Sequence, residues 1–311
     1  MLKTARKNTL INKALRNPLK KWLHFSKKMN ANIQHKWRPS GIITCDFDGI
    51  SFNMYSECDD GIVDYLFYHN AEYPESQDLR VFMSLAKASG VIIDIGANTG
   101  VYSILSSKVN PKAKIFSVEP YLSNFVRLEK NIKCNNLQNV EAVNIAIGEN
   151  DGHINFFVPN NNAISDVSSV NGNFSKSIYP DIKWVETKIP INTLDLFSKR
   201  IAQRINLVKC DVESYEMSVF KGATEVLKTH KPTILFESFI DAERKAFFDQ
   251  ILSINQYYAY MVLRDGLVRL DNGLQANKSG LNFLISPIKS TENFLSHEQI
   301  EGNPLQLLYM E

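Results

Sequence analysis

"VIIDIGANTGVYSIL", Val91 to Leu105, decides how the rest of the chain is read. A strand-like apolar run ends in an acid, a short loop follows between Gly96 and Gly100, and the pattern then turns helical. The same rhythm runs outward from it. "AKIFSV" reads as a strand, "LSNFVRLEKNIKCN" as a helix and "VEAVNIAI" as a strand. After an interruption it resumes with "TLDLFSKRI" (helix), "INLVKCD" (strand), "EMSVFKGATEVLKTH" (helix), "PTILFE" (strand) and "DAERKAFFDQILSIN" (helix). "YAYMVLR" and "LNFLIS" close the series as strands. Repeated βα units with near-continuous apolar strands predict an α/β fold, a mostly parallel sheet with helices on both faces. Ligands of such sheets sit beyond the carboxyl ends of the strands, where the strand order switches. The residues just after each strand are therefore the candidates for function.

Small residues in the first loop, with Asn98 among them, let a ligand approach the backbone. The loop is G-x-x-x-G, so it lacks the middle glycine of a dinucleotide fingerprint, and it has no Gly-Lys-Ser/Thr of a phosphate loop. Asp94, just ahead of Gly96, would repel a pyrophosphate and suits a ligand that offers a cation, as the ammonium and sulfonium of S-adenosylmethionine do. Glu119 ends the second strand, where an acceptor-only carboxylate can take hydrogen bonds from both hydroxyls of a ribose. Asn144 and Ala146, in "VNIAIG", are expected near the adenine, with Ile147 as an apolar wall.

The motifs "IDIGANTG", "VEP", "NIAIG" and "VKCDVESYEMSVFKGA" together resemble the FkbM family of S-adenosylmethionine-dependent methyltransferases. The resemblance runs from about Val91 to Ser238, roughly half of the chain, with "NFLIS" as a last echo. It implies a class I methyltransferase (Rossmann-like) fold: a seven-stranded, mostly parallel sheet ending in an antiparallel strand, with helices on both faces. It also implies methyl transfer to oxygen, on a sugar or another natural product. The family has glycine after "DVE" where this chain has Ser214. Methylating a hydroxyl needs a held acceptor and a base for its proton. The strand ends supply Asp211, Glu213 and Glu237 as catalytic candidates. A hard cation such as Mg²⁺ on these acids is the alternative use of them, but no third ligand is visible and no metal site is assigned.

Around this core the chain divides into four parts. Residues 1–40 form a basic amphipathic arm with eleven Lys and Arg and no acid, leaving 24 basic and 33 acidic residues for the rest. Such an arm can dock on its own domain or touch an anionic membrane. Residues 41–89 are a small β/α element: "GIITCDFDGISFNM" and "DGIVDYLFYHN" read as short strands, with turns at Asp48-Gly49 and Asp60-Gly61, and 76–89 as a helix closed by Gly90. Residues 90–290 are the methyltransferase domain. Its Asn/Ser-rich insertion at about 150–190 contains one extra strand, "GHINFFV", and aromatics (Phe156, Phe157, Tyr179, Trp184) suited to a sugar-binding wall. Residues 291–311 read as a polar extension.

The four cysteines fit no zinc or disulfide framework, and Cys210 is expected in the core. His153 is expected on the surface and His230 at a helix end. With no apolar run long enough for a transmembrane helix and no secretory h-region, the expected location is cytoplasmic, with peripheral membrane contact through the arm. The expected partner is a small-molecule or glycan hydroxyl. An acidic body argues against nucleic acid. The alternatives to an O-methyltransferase are a non-catalytic binding protein on the same fold and an NAD-dependent dehydrogenase or epimerase.

Overall fold

The computed structural model describes residues 38–69, 76–160, 183–263, 266–274 and 281–287, the strand backbone at 306–309, and residues 12, 14, 17, 18, 20, 170, 180 and 181. The first described strands form a hairpin, β1 (Ser40–Phe47) and β2 (Ile50–Glu57). Asp48 and Gly49 both take positive φ (49° and 81°), the two-residue turn whose twist matches antiparallel strands. The next stretch is not a strand. Asp60 caps α1 (Gly61–His69), its Oδ1 accepting from the Val63 N–H, and Val63, Leu66 and Phe67 fall on one helical face and are buried. An acid at the cap, rather than a turn at Asp60-Gly61, decides that segment. α2 (Ser76–Lys87) follows as expected.

The βα series then runs β3 (Val91–Ile95), α3 (Val101–Val109), β4 (Lys114–Val118), α4 (Leu122–Cys134) and β5 (Val140–Val143). The short β6 (Ala146–Ile147) leads to the interruption, which holds two long strands, β7 (Gly152–Pro159) and β8 (Trp184–Asn192). β7 was expected and β8 was not. β8 pairs antiparallel with β7 and parallel with β6 in a separate three-stranded sheet. Tyr179 and most of the Asn/Ser-rich stretch lie outside the described residues. Then come α5 (Leu194–Ser198), β9 (Leu207–Cys210), α6 (Glu216–Lys221), α7 (Thr224–Thr229), β10 (Thr233–Ser238), α8 (Ala242–Asn255), β11 (Tyr257–Leu263), β12 (Gly266–Arg269), β13 (Leu281–Pro287) and β14 (Gln306–Tyr309). The helix expected over 216–230 is broken in two at Gly222, which packs so closely on Gly148 that a Cβ there would lie 2.0 Å from the Gly148 carbonyl oxygen.

The main sheet has the order β14-β12-β11-β13-β10-β9-β3-β4-β5. Within it lie the seven strands of the expected core, β5-β4-β3-β9-β10-β13-β11, with β13 antiparallel to both β10 and β11. β12 and β14 extend the edge beyond them, β14 coming from the stretch expected to be a polar extension. β3 and β9 are parallel neighbours; β4 and β5 follow β3 outward on one side, and β10 follows β9 on the other. Their carboxyl ends are the switch point.

Alternate residues of these strands feed two cores. Ile92, Ile115, Leu207 and Leu235 face one side, with α1, α2, α3 and the β1–β2 hairpin. Ile93, Phe116, Val208 and Phe236 face the other, with α5, α6, α7 and α8. The element at 41–89 therefore shares a core with the main sheet. Most of the basic arm lies outside the described residues, but Asn12 is buried and bonds the Arg38 carbonyl and the Ser40 N–H at the start of β1. Among the described residues no helix is long and apolar enough to cross a membrane.

Candidate active site

A cavity of about 300 Å³ opens at the switch point. The loops after β3, β4, β9 and β10 build it, and α1 closes it with Gly61, Ile62 and Tyr65. Of the residues singled out from sequence, Gly96, Asn98, Glu119, Ala146, Asp211, Glu213 and Glu237 are on its wall. Asp94, Gly100 and Asn144 are not.

The reasons are local. Asp94 is fully buried behind the wall, and its Oδ2 accepts from Ser103 Oγ at 2.7 Å, while Ser117 Oγ donates to Ser103 Oγ at 2.5 Å. Burial pushes its carboxyl up, opposed by the Lys209 ammonium. Asp94 thus faces a lysine of its own chain. Gly96 (φ 76°) is required by packing within the protein, since a Cβ there would stand 1.8 Å from the Asp211 carbonyl oxygen. Gly100 (φ 96°) precedes α3 and makes room for Leu128, which a Cβ would meet at 2.4 Å. Asn144 is a strut: its Nδ2 donates to the carbonyls of Glu119 and Pro120 at 2.8 and 3.0 Å.

Glu119 is the best-defined polar group of the site. Its Oε2 accepts from the Asn98 N–H at 2.8 Å and its Oε1 from the Tyr121 N–H at 2.9 Å. Each oxygen is held by one donor, and a carboxylate has further lone pairs on both. Burial raises its carboxyl to about 7 despite these bonds. Beside it the wall is apolar, formed by Val118, Ile145, Ile147 and Phe156. Asn98 holds the loop in a left-handed conformation (φ 50°) that Asn tolerates.

Across the cavity, β9 presents Lys209 and the loop 211–215. Lys209 is buried, with Nζ 2.9 Å from Asp211 Oδ2 and 4.5 Å over the Tyr102 ring. Sequence reading left this lysine as a strand residue; a cation inside an apolar strand was the signal for it. Glu213 and Ser214 both take positive φ (53° and 72°). Sequence reading also missed Glu216, 2% exposed, whose Oε1 accepts from the Val212 and Ser214 N–H groups at 3.2 Å each. Burial raises its carboxyl to about 8. Glu237, exposed at the end of β10, completes this side. Among the described residues no three or more His, Cys, Asp or Glu are grouped to hold a metal ion.

Cys210 is buried and burial raises its thiol, His153 is exposed, and His230 caps α7 while its Nδ1 accepts from the Ile205 N–H. Trp184 and Phe157 are not on the cavity wall.

A glutamate ends the second strand beside a glycine loop at the switch point, and comparison with known proteins gives the family. The model of the Methyltransferase FkbM domain matches residues 94–262, more than half of the chain. The chain belongs to the FkbM methyltransferase family. It is similar to the 2-O-methyltransferase NoeI of Sinorhizobium fredii, 26% identical over 171 residues (53% of this chain, 69% of that protein). It is equally similar to the hexuronic acid methyltransferase AglP of Haloferax volcanii, 26% identical over 158 residues (50% and 59%). A third relative, Methyltransferase 1 of Beauveria bassiana, is 26% identical over 144 residues (42% and 57%). The chain thus spans 57% to 69% of the length of these relatives. Among solved structures, Methyltransferase FkbM from Methylobacillus flagellatus aligns at 17% identity with a TM-score of 0.41, over 73% of this chain and 55% of that one. The family-matched stretch begins at Asp94, after the hairpin, α1 and α2.

Proposed function

We propose that this methyltransferase moves a methyl group from S-adenosylmethionine to a hydroxyl of a saccharide or similar polar metabolite. The observation that carries the reading is the pinned carboxylate of Glu119 on the cavity wall. One backbone donor holds each of its oxygens, so both are oriented to accept from vicinal ribose hydroxyls. The apolar stretch Ile145–Ile147 with Phe156 suits an adenine, and the volume is at the lower end for a small-molecule site. When bound, the cofactor supplies a methyl carbon activated by a sulfonium.

The chain's own residues do the rest. A hydroxyl must shed its proton as it is methylated, and Asp211, Glu213 and Glu237 are the carboxylates on the far wall to take it. Lys209 holds Asp211 by an ion pair inside the cavity. The saccharide acceptor is favoured by the names of two relatives, NoeI and AglP.

Calorimetric titration with S-adenosylhomocysteine tests the cofactor, run beside NAD. Micromolar binding is expected, with none for NAD. Glu119→Gln keeps the shape but turns an amide toward one of the two N–H groups, and should weaken binding at least about tenfold. Ionised Glu119 is the better acceptor, so affinity should also fall as pH drops through about 7. Tight NAD binding would sink the reading.

A further inference from the structure

We infer that Lys209 is the residue that takes the α-carboxylate of the cofactor's amino-acid tail. The inference rests on the proposed S-adenosylmethionine site and deepens it. Topology and charge carry it independently.

Topology fixes where the tail must go. Glu119 follows β4, and the apolar stretch Ile145–Ile147 follows β5, the outer neighbour of β4. With the ribose hydroxyls on Glu119 and the adenine toward β5, the 5′ tail leaves the other end of the ribose, toward β3 and β9. β9 lies two strand spacings from β4, roughly 10 Å. Ser117, Asp94 and Lys209 stand in one row across these three strands and share a face of the sheet. Glu119, two residues beyond Ser117, continues that face. Burial raises the Glu119 carboxyl, its two backbone bonds oppose that rise, and so does the Lys209 ammonium. Lys209 and Glu119 border one volume.

Charge fixes what the tail meets there. Among the described residues of the cavity wall, Lys209 is the one Lys, Arg or His. It is buried in a strand whose other residues, Leu207, Val208 and Cys210, are apolar. A cation in such a place is costly unless it is paired. Two carboxylates pair it: Asp211, at 2.9 Å, and Asp94, whose carboxyl is raised by burial and held down by the lysine. Asp94 is sealed behind the wall, so Asp211 is the half that faces the cavity. Neutralising Asp94 alone would not bring the lysine to the cavity wall. Lys209 and Asp211 together are a zwitterionic pair, and an amino-acid tail is a zwitterion too. The four charges match as a square, with the tail carboxylate on Lys209 and the tail ammonium on Asp211. Lys209 need not be idle for this, since each charge that yields part of one partner gains another.

The test is calorimetry on the full-length protein with three nucleosides. These are S-adenosylhomocysteine, its decarboxylated analogue, which lacks only the α-carboxylate, and 5′-methylthioadenosine, which lacks the amino-acid tail. The wild type should bind S-adenosylhomocysteine at least about tenfold more tightly than the decarboxylated analogue. Lys209→Met should erase that gap and leave the affinity for 5′-methylthioadenosine unchanged. Since Lys209→Met leaves Asp94 buried without its cation, it is also made together with Asp94→Asn, and the same loss of the gap is expected. Equal binding of the first two nucleosides by the wild type overturns the inference, as does a gap that survives in the variants. An equal loss of affinity for all three nucleosides in the double variant overturns it too, since the lysine would then support the site rather than the tail. A wild type that binds none of the three refutes the S-adenosylmethionine reading itself and takes the inference with it.

Discussion

The two neighbouring loops that line the cavity after β3 and β9 solve one problem in two ways. The loop 96–100 and the loop 211–215 each follow a central strand, each turn through left-handed backbone, and each are pinned by a buried glutamate that accepts backbone N–H groups. The first places Gly96, Asn98 and Gly100 at its positive-φ positions, residue types that adopt them at little or no cost. The second places Glu213 and Ser214 there. A left-handed conformation costs an ordinary L residue about 1–2 kcal/mol. The first loop is relaxed and holds the proposed nucleoside. The second stores strain among the candidate bases, where strained backbone tends to collect. The two also touch, because Gly96 packs on the Asp211 carbonyl.

That contact offers the largest way to break the comparison. Gly96→Ala would force a Cβ to within 1.8 Å of the Asp211 carbonyl oxygen at φ 76°. The conformation alone costs about 1–2 kcal/mol, and the clash adds to it by pushing the loops apart. A melting temperature lowered by several degrees is expected, together with loss of S-adenosylhomocysteine binding. A variant that melts and binds like the wild type would show that the two loops are independent.

Glu216 allows a sharper test. Its carboxyl titrates at about 8 in the fold, against an ordinary value of 4.5, because it is buried. Between those values the folded chain holds a proton that the unfolded chain has released. Stability from this group is therefore present at mildly acidic pH and is lost as pH rises toward and through about 8. Glu216→Gln keeps an oxygen to accept from the Val212 and Ser214 N–H groups and removes the titration. Its melting temperature should fall less steeply between pH 5 and pH 8 than that of the wild type. Parallel curves would mean that the glutamate is not titrating there.

The contrast between the loops also explains what was legible in the sequence. That Asn98 and Glu119 reach the cavity wall was legible because glycines and a strand-end acid are local signals, and the order of βα units gave the switch point. That Asp94 lies behind the wall was not legible, because it depends on Ser103 and Lys209, from a helix and another strand. The position of Asn144 off the wall was hidden for a related reason: its bonds to Glu119 and Pro120 depend on how two strand ends pack. Glu216 looked like an ordinary helix-start acid, and only burial distinguishes it. α1 was read as a strand because Asp-Gly serves a turn and a helix cap equally well, and the contribution of Tyr65 to the wall went unseen with it. β8 was hidden because its burial alternates only over its last residues, and most of the strand is exposed or half-buried.

The smallest expected effect is the most informative about the second loop. Ser214→Gly places at φ 72° the residue that adopts it freely. Relief of strain favours the fold by up to about 1–2 kcal/mol, and the greater freedom of glycine in the unfolded chain takes back roughly 0.4–1 kcal/mol. The net gain should be under about 1 kcal/mol by these figures, read as a small rise in the denaturant midpoint. The bond from the residue 214 N–H to Glu216 can persist, since it is backbone. Methyl transfer then separates two possibilities. If the strain at Ser214 holds Glu213 in its working direction, the stabler variant is the slower enzyme. If Glu216 alone fixes the loop, the variant gains stability and keeps its rate. A destabilised Ser214→Gly would mean that the serine side chain contributes a contact worth more than the strain it imposes.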